Sequence, residues 1–269
     1  MTARRVAARR LSFRRVAADG GRPDDDQRLQ GDVAAGLQVS TDPDDRMARY
    51  LQARTAFFDR VTVDSIAAGT DQIVVLGAGY DGRSLRYARA GVRWFELDHP
   101  DTQADKRARL DRLGIDTTGV AFAAVDFGSD DVAGALRGVG HEPVRPSLFS
   151  CEGVAAYLPE EVLSSLLRAA RSCAAAGSRL AVEIPLDTRS ASEAARRARL
   201  QSAVGAMGEA LVTAIPRAGL DHFLAATGWV THRATDPAGV DLAASDRSTA
   251  FVVAGLLAPD SGLRAPECS

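Results

Sequence analysis

The stretch QIVVLGAGYDGRS, residues 72–84, constrains this chain more than any other. A short run with no polar break suits a central strand of a parallel sheet, covered on both faces. Glycines follow at once. Gly77 and Gly79 let the backbone turn sharply and approach a ligand with no side chain between. Gly77, Gly79 and Gly82 also spell G-x-G-x-x-G, the dinucleotide fingerprint. A turn of this kind opens either a nicotinamide site or an S-adenosylmethionine site, so hydride transfer and methyl transfer both stand at this point.

The surrounding pattern alternates strand and helix. Residues 44–68 carry apolar side chains at three- and four-residue steps, with Asp42 or Asp44 near the start, and predict a helix. Strands are expected at 72–77, 92–98, 120–127, 146–153 and 178–186. Helices are expected at 83–90, from Pro100 to Gly114, from Asp130 to Arg137 and from Pro159 to Ala175. Residues 187–217 break the rhythm, being rich in Ala and Arg. A helix at "GLDHFLAATG" and two closing strands, 229–235 and 248–258, complete the chain. Alternation of this kind means an α/β fold, an open sheet with helices on both faces. Ligands on such sheets bind beyond the carboxyl ends of the strands. The groups just there are Gly77–Gly79, Glu96–Asp98, Asp126–Phe127 and Glu152–Gly153.

Three features favour methyl transfer. A short-chain dehydrogenase needs Tyr-x-x-x-Lys, and Lys106, the only lysine, has no tyrosine four residues before it. Asp126 can accept a hydrogen bond from an adenine amino group while Phe127 flanks the ring. The closing pair of strands suits a sheet whose last strand enters antiparallel.

The blocks "TDQIVVLGAGYDGRSLRY", "RWFELDHPDTQADKRARL", "AVDF" and "SLFSCEGVAAYLPEEVLSSLL" resemble the leucine carboxyl methyltransferase-like family, over roughly residues 46–186. The resemblance implies a class I methyltransferase: a Rossmann-like seven-stranded sheet, N-terminal helices and a lid-like insert, 187–217, before strand six. It implies S-adenosyl-L-methionine as cofactor. By position, Arg54 would pair with the cofactor's carboxylate, and Gly77, Ala78 and Gly79 would line its methionine part. Asp98 would hold the ribose hydroxyls, with Glu96 on the same strand. Asp126 and Phe127 would flank adenine, and Glu152 would meet the amino group. Arg83 follows a turn that reads Asp81-Gly82-Arg83 where the family has Asp-Thr-Arg. An N-terminal lysine of eukaryotic members has no lysine counterpart here, and Arg46 or Arg49 is the expected substitute.

The implied reaction is O-methylation of a carboxylate on a small natural product or peptide. Such an acceptor is already anionic and needs no general base. Tyr157 is a candidate substrate contact, and Arg189, Arg196, Arg197 and Arg199 of the insert are candidates for recognising its charge. The rivals are an NAD(P)-dependent oxidoreductase and a non-catalytic S-adenosylmethionine-binding protein. The net charge of −2 gives no general attraction to nucleic acid or membrane. Three scattered cysteines show no metal-ligand spacing and suit a reducing cytoplasm. Residues 1–43, with arginine pairs and no acid before Asp19, are expected to be a mobile or loosely packed segment ahead of a domain spanning 44–269.

Overall fold

The computed structural model describes residues 2–40, 45–187, 190–205 and 210–256. The apolar pentad becomes β1 (Gln72–Leu76), buried along its whole length. Around it lie β2 (Arg93–Asp98), β3 (Val120–Ala124), β4 (Ser147–Cys151), β5 (Arg179–Pro185), β6 (Trp229–Thr235) and β7 (Thr249–Leu256). They form one seven-stranded sheet in the order β3-β2-β1-β4-β5-β7-β6. The first five pair in parallel, and β7 enters antiparallel between β5 and β6. Chain order reverses direction beside β1, and this switch point sets the ligand cleft at the strand tips.

Alternate residues of the strands feed two cores. Val74, Leu76, Phe95, Phe149, Val182 and their neighbours pack against α6 (Val132–Gly138), α7 (Glu160–Ser172) and α9 (Leu220–Ala226). Ile73, Val75, Trp94, Leu148 and Ala181 meet Phe58 of α3 (Arg46–Ala67) on the other face. Asp45 caps α3, its side chain accepting from Met47 N at 2.8 Å. The expected caps Asp42 and Asp44 lie outside the described residues. The helix after the glycine turn, α4 (Arg83–Arg86), is shorter than its pattern predicts. Arg22 N donates to Leu85 O at 2.9 Å, taking a carbonyl that a longer helix would need.

The N-terminal segment corrects the expectation of a mobile tail. It forms α1 (Thr2–Arg10) and α2 (Pro23–Ala34). Ala7, Leu29 and Val33 are buried in a third cluster with Tyr80, Leu85 and Leu110, the last from α5 (Pro100–Arg112). Three of its arginines are paired with acids outside it: Arg9 reaches Asp45, Arg10 reaches Glu152 and Arg15 reaches Asp59, each at 2.7 Å. For these three the anion comes from beyond the segment, and Arg15 also meets Asp26 within it, at 3.1 Å.

The insert leaves β5 at its tip and forms α8 (Ala191–Gly205), whose described side chains are exposed. The chain then returns to the body. Val212 N donates to Ala156 O at 2.8 Å, and Ile215, buried, pairs beside Leu186. No helix among the described residues is long and apolar enough to cross a membrane.

At the opposite pole His141 is buried against Phe95 and Phe149, its Nε2 2.9 Å from Ser147 Oγ. Burial, helped by the Arg93 charge, lowers its pKa to about 4. The unfolded chain therefore takes up this proton first. The associated stability is complete above pH 6.5 and is lost as pH falls toward 4, by on the order of 3 kcal/mol. Denaturant titrations across that range should show the decline, and His141→Phe should flatten it.

Candidate functional site

The strand tips converge around the glycine turn. Gly77 and Gly79 adopt φ of +74° and +50°, conformations that favour glycine. Gly77 N and Ala78 N both donate to Leu97 O, at 2.9 and 3.0 Å, which pins the turn to β2. A Cβ on Gly77 would overlap the Val154 side chain. Gly82 answers a different need. A Cβ there would run into Asp26 Oδ1 of α2, so the third glycine of the apparent dinucleotide fingerprint admits the N-terminal helices.

Asp98 ends β2 and accepts from Gly79 N and, at 2.7 Å, from His99 N. Burial raises its pKa, against the pull of those two amides. The register sets Asp98 beside Ala124, two residues before Asp126. The two acids therefore occupy neighbouring tips of the same edge. Asp126 is exposed and closes its own turn by accepting from Gly128 N at 2.8 Å, and Phe127 beside it is half-buried. Glu96 is placed differently from its expected neighbours. It is buried within β2, with Ser84 Oγ at 2.6 Å and Lys106 Nζ at 2.5 Å. Lys106 also donates to Asp81 O at 2.6 Å. The sole lysine thus ties the glycine turn to the sheet, and Glu96 braces that tie from the interior.

Beneath the turn lies a buried ionic cluster that centres on Arg83. Its guanidinium, 1% exposed, donates to Asp59 Oδ1 at 2.8 Å, to Glu152 Oε2 at 2.6 Å, to Asp81 and to the Thr55 carbonyl. Glu152, at the tip of β4, also accepts from Arg54 Nε at 2.9 Å and Arg10 Nη2 at 2.7 Å. Burial opposes its charge, but Arg10, Arg83 and Arg54 outweigh burial and hold Glu152 well below the usual carboxylate range. Asp59, likewise buried, is held at about 2 by Arg83 and Arg15. Asp26 joins from α2, meeting Arg15 at 3.1 Å and Arg86 at 2.6 Å.

Glu183 of β5 behaves otherwise. It accepts from Gly153 N at 2.9 Å, from Arg54 Nη1 at 3.3 Å and from the Tyr50 hydroxyl. Burial nevertheless pushes it up to about 8, with the Gly153 amide pulling the other way. At neutral pH its charge is mostly absent. Five guanidiniums, of Arg10, Arg15, Arg54, Arg83 and Arg86, then face four charged carboxylates, of Asp26, Asp59, Asp81 and Glu152. One positive charge is left over in a dry place, and Arg10 Nε is buried there with no partner.

Of the predicted site residues, the structure brings Arg54, Gly77, Ala78, Gly79, Arg83, Asp98 and Glu152 together, with Asp126 and Phe127 at the next tip. Tyr157 is half-buried in a short turn, Ala155–Tyr157, against which the insert returns. Arg189 lies outside the described residues, as do the side chains of Arg196 and Arg197, and Arg199 is exposed. Arg46 and Arg49 are exposed on α3, and the cation supplied by the N-terminal region is Arg10 instead. Sequence reasoning missed Arg10, Asp26, Asp59 and Glu183. Glu183 carried a readable signal, a lone acid inside the apolar run "LAVEIP". No cluster of metal-ligating side chains occurs among the described residues.

A family model described as leucine carboxyl methyltransferase matches residues 11–171. A protein of Mycolicibacterium smegmatis, named as a candidate S-adenosyl-L-methionine-dependent methyltransferase, is 36% identical over 79% of this chain and 74% of its own length. A like-named protein of Mycobacterium avium is 39% identical over 56% of this chain, and the match spans about half, 49%, of its own length. Among solved structures, a methyltransferase-like protein of Thermobifida fusca aligns over 95% of this chain and 94% of its own, with TM-score 0.56 at 16% identity, a likeness of fold.

Arg83 is the least replaceable member of the cluster. Arg83→Ala strands Asp59, Asp81 and Glu152 without their shared cation, at a cost of about 3–5 kcal/mol. Chemical denaturation should show that loss. Arg83→Lys, which cannot span three carboxylates with one fork, should recover only part of it.

Proposed function

The chain belongs to the leucine carboxyl methyltransferase family, and from that premise we propose that it methylates a carboxylate oxygen of a small molecule or peptide. The methyl donor is S-adenosylmethionine, which when bound supplies a methyl group activated by a positively charged sulfur. The observation that carries the proposal is the unbalanced guanidinium of the buried cluster. Two features support the fit of the cofactor. The cluster lacks one anion, and the cofactor's amino-acid end brings a carboxylate. The Gly77–Gly79 turn, with both glycines at positive φ, leads directly into Asp81 and Arg83 of that cluster.

In this reading Arg54 and Arg10 hold the carboxylate. Glu152, kept ionised by its three arginines, takes the ammonium. Asp98 fixes the turn through Gly79 N and keeps lone pairs for the ribose hydroxyls. Asp126 and Phe127 serve the adenine. Gly77, Ala78 and Gly79 line the methionine part. Arg83 positions Glu152, and Lys106 with Glu96 holds the turn from within.

The acceptor needs no proton removed if it is a carboxylate, and the residues agree with that demand. No histidine among the described residues belongs to the cluster. His99 is exposed on the rim, and His141 lies at the far pole. What the chain must do is hold the acceptor oxygen in line with the methyl group and exclude water. Positioning of this sort can supply roughly 7–11 kcal/mol. We assign that task to the insert with α8 and to Tyr157, and we treat 44–269 together with the packed N-terminal helices as one catalytic unit.

Two measurements test the proposal. S-Adenosylhomocysteine should raise the melting temperature where NAD does not. At 100 times its dissociation constant it should add about 2.7 kcal/mol. Asp98→Asn should weaken it at least tenfold. Labelled cofactor and a panel of carboxylic acids should yield an ester whose label is released by mild base. Transfer only to phenols or amines would refute the carboxylate assignment.

The pH dependence has a defined sign. Below about 8, Glu183 is protonated and competes only weakly for Arg54, whose Nε stays on Glu152. As pH rises through 8, Glu183 ionises and competes for Arg54. S-Adenosylhomocysteine affinity should fall several-fold between pH 7 and 8.5, and Glu183→Gln should abolish that fall.

A further inference from the structure

The strand β6 does not alternate evenly. Thr231 pairs with Ala254 and Arg233 with Val253, so His232 is an extra residue, a bulge. In a regular strand His232 and Arg233 would point to opposite faces. The bulge turns both toward the α3 side of the sheet. Arg233 lines a cavity there with Phe57 of α3. The His232 imidazole lies over Gly255, which shares its face of β7 with Val253 and where a Cβ would meet the ring at 2.3 Å.

The cavity, of about 420 Å³, lies between α3, β7 and the turn at 235–239. Three elements each send it an arginine: Arg60 from α3, Arg179 from the start of β5 and Arg233 from β6. All three are exposed, and none is paired with a carboxylate among the described residues. Two acids stand on the same lining. Asp236, 4% exposed, is spent on its own loop, accepting from Ala238 N at 2.7 Å, Val240 N at 3.0 Å and Ser245 Oγ at 2.8 Å. Asp64 lies one turn beyond Arg60 on α3. Three guanidiniums against two carboxylates leave one positive charge. The floor is apolar: Phe57, Val61 and Val253 are half-buried, and the Phe57 ring lies 5.2 Å from that of Phe251. Arg179 opens β5, and Glu183 stands roughly 13 Å further along the strand, so the cavity is separate from the ionic cluster.

We propose that this cavity binds a carboxylate carried on a flat aromatic body. The carboxylate answers the surplus charge and can accept paired N–H groups from a guanidinium. The aromatic body covers the apolar floor, and guanidinium planes stack on such rings. A small hydrophilic carboxylate meets only the first demand and a neutral aromatic alcohol only the second. Small-molecule sites run from about 300 to 1,000 Å³, and this one, near the lower end, suits a ligand of one or two rings. The site goes beyond methyl transfer and does not rest on it.

Calorimetric titration of the full chain with 2-naphthoate, acetate and 2-naphthylmethanol tests the proposal, with and without saturating S-adenosylhomocysteine. Naphthoate should bind once per chain under both conditions. Acetate and naphthylmethanol should each bind more weakly by a factor of about ten or more. The double variant Arg179→Gln, Arg233→Gln should weaken naphthoate by a similar factor, and Ala238→Trp should block it by filling the cavity. These three positions are exposed, so both variants should keep the wild-type melting temperature and S-adenosylhomocysteine affinity. The idea is overturned if naphthoate does not bind, if acetate or naphthylmethanol matches it, or if either variant binds it as the wild type does. Displacement of naphthoate by S-adenosylhomocysteine would also overturn it, because the acid would then sit at the strand tips. Binding of S-adenosylhomocysteine is scored separately, so failure of the methyltransferase reading stays distinct from failure of this one.

Discussion

The Arg83 guanidinium is the constraint on which the rest of the structure depends. Almost wholly buried, it joins α3 through Asp59 and Thr55, the glycine turn through Asp81 and the tip of β4 through Glu152. A cation so far from water survives only where several carboxylates meet it with good geometry. Those carboxylates in turn recruit Arg10, Arg15 and Arg54, and the recruitment carries the N-terminal helices onto the sheet. The fold at the strand tips is therefore assembled around charge rather than around apolar area.

Buried ion pairs are a poor route to stability, since desolvation offsets most of their attraction. Their value here lies in placement. Glu152 has three arginine partners and two oxygens, so its carboxylate is fixed in position and kept charged. Glu183, 31 residues further on, loses its charge to burial although Arg54 lies within 3.3 Å. The two acids share one arginine and differ in protonation, and that difference leaves the cluster one anion short. A methyltransferase that must grip a zwitterionic tail gains from such a pocket. In the proposed function that grip would be in place before the ligand arrives, and little reorganisation would be required on binding.

Much of this was legible in the sequence because it is local. The glycine turn, the acids at successive strand ends and the antiparallel last strand each follow from a few consecutive residues. Asp98 and Asp126 stand on adjacent tips because strand–helix alternation leaves few other places for them. The N-terminal segment was illegible for the opposite reason. Arg10 and Glu152 are 142 positions apart, and Arg15 and Asp59 are 44 apart. Nothing in a run of arginines says that buried acids elsewhere await them. Gly82 misled for a related reason. Its spacing completes a dinucleotide fingerprint, while its physical cause is the approach of Asp26 from α2. Glu96 shares the face of Asp98 by pattern, but it lies two positions inside the strand, where burial leaves it to Lys106 and Ser84.

The central claim is that the cluster awaits a carboxylate. Comparing S-adenosylhomocysteine with its decarboxylated analogue by calorimetry at pH 7 tests it most directly, because the two ligands differ in that group alone. The account predicts that the wild-type protein binds the intact ligand at least tenfold more tightly, and that Arg54→Gln removes most of the difference. Equal affinity for both ligands in the wild-type protein would contradict it.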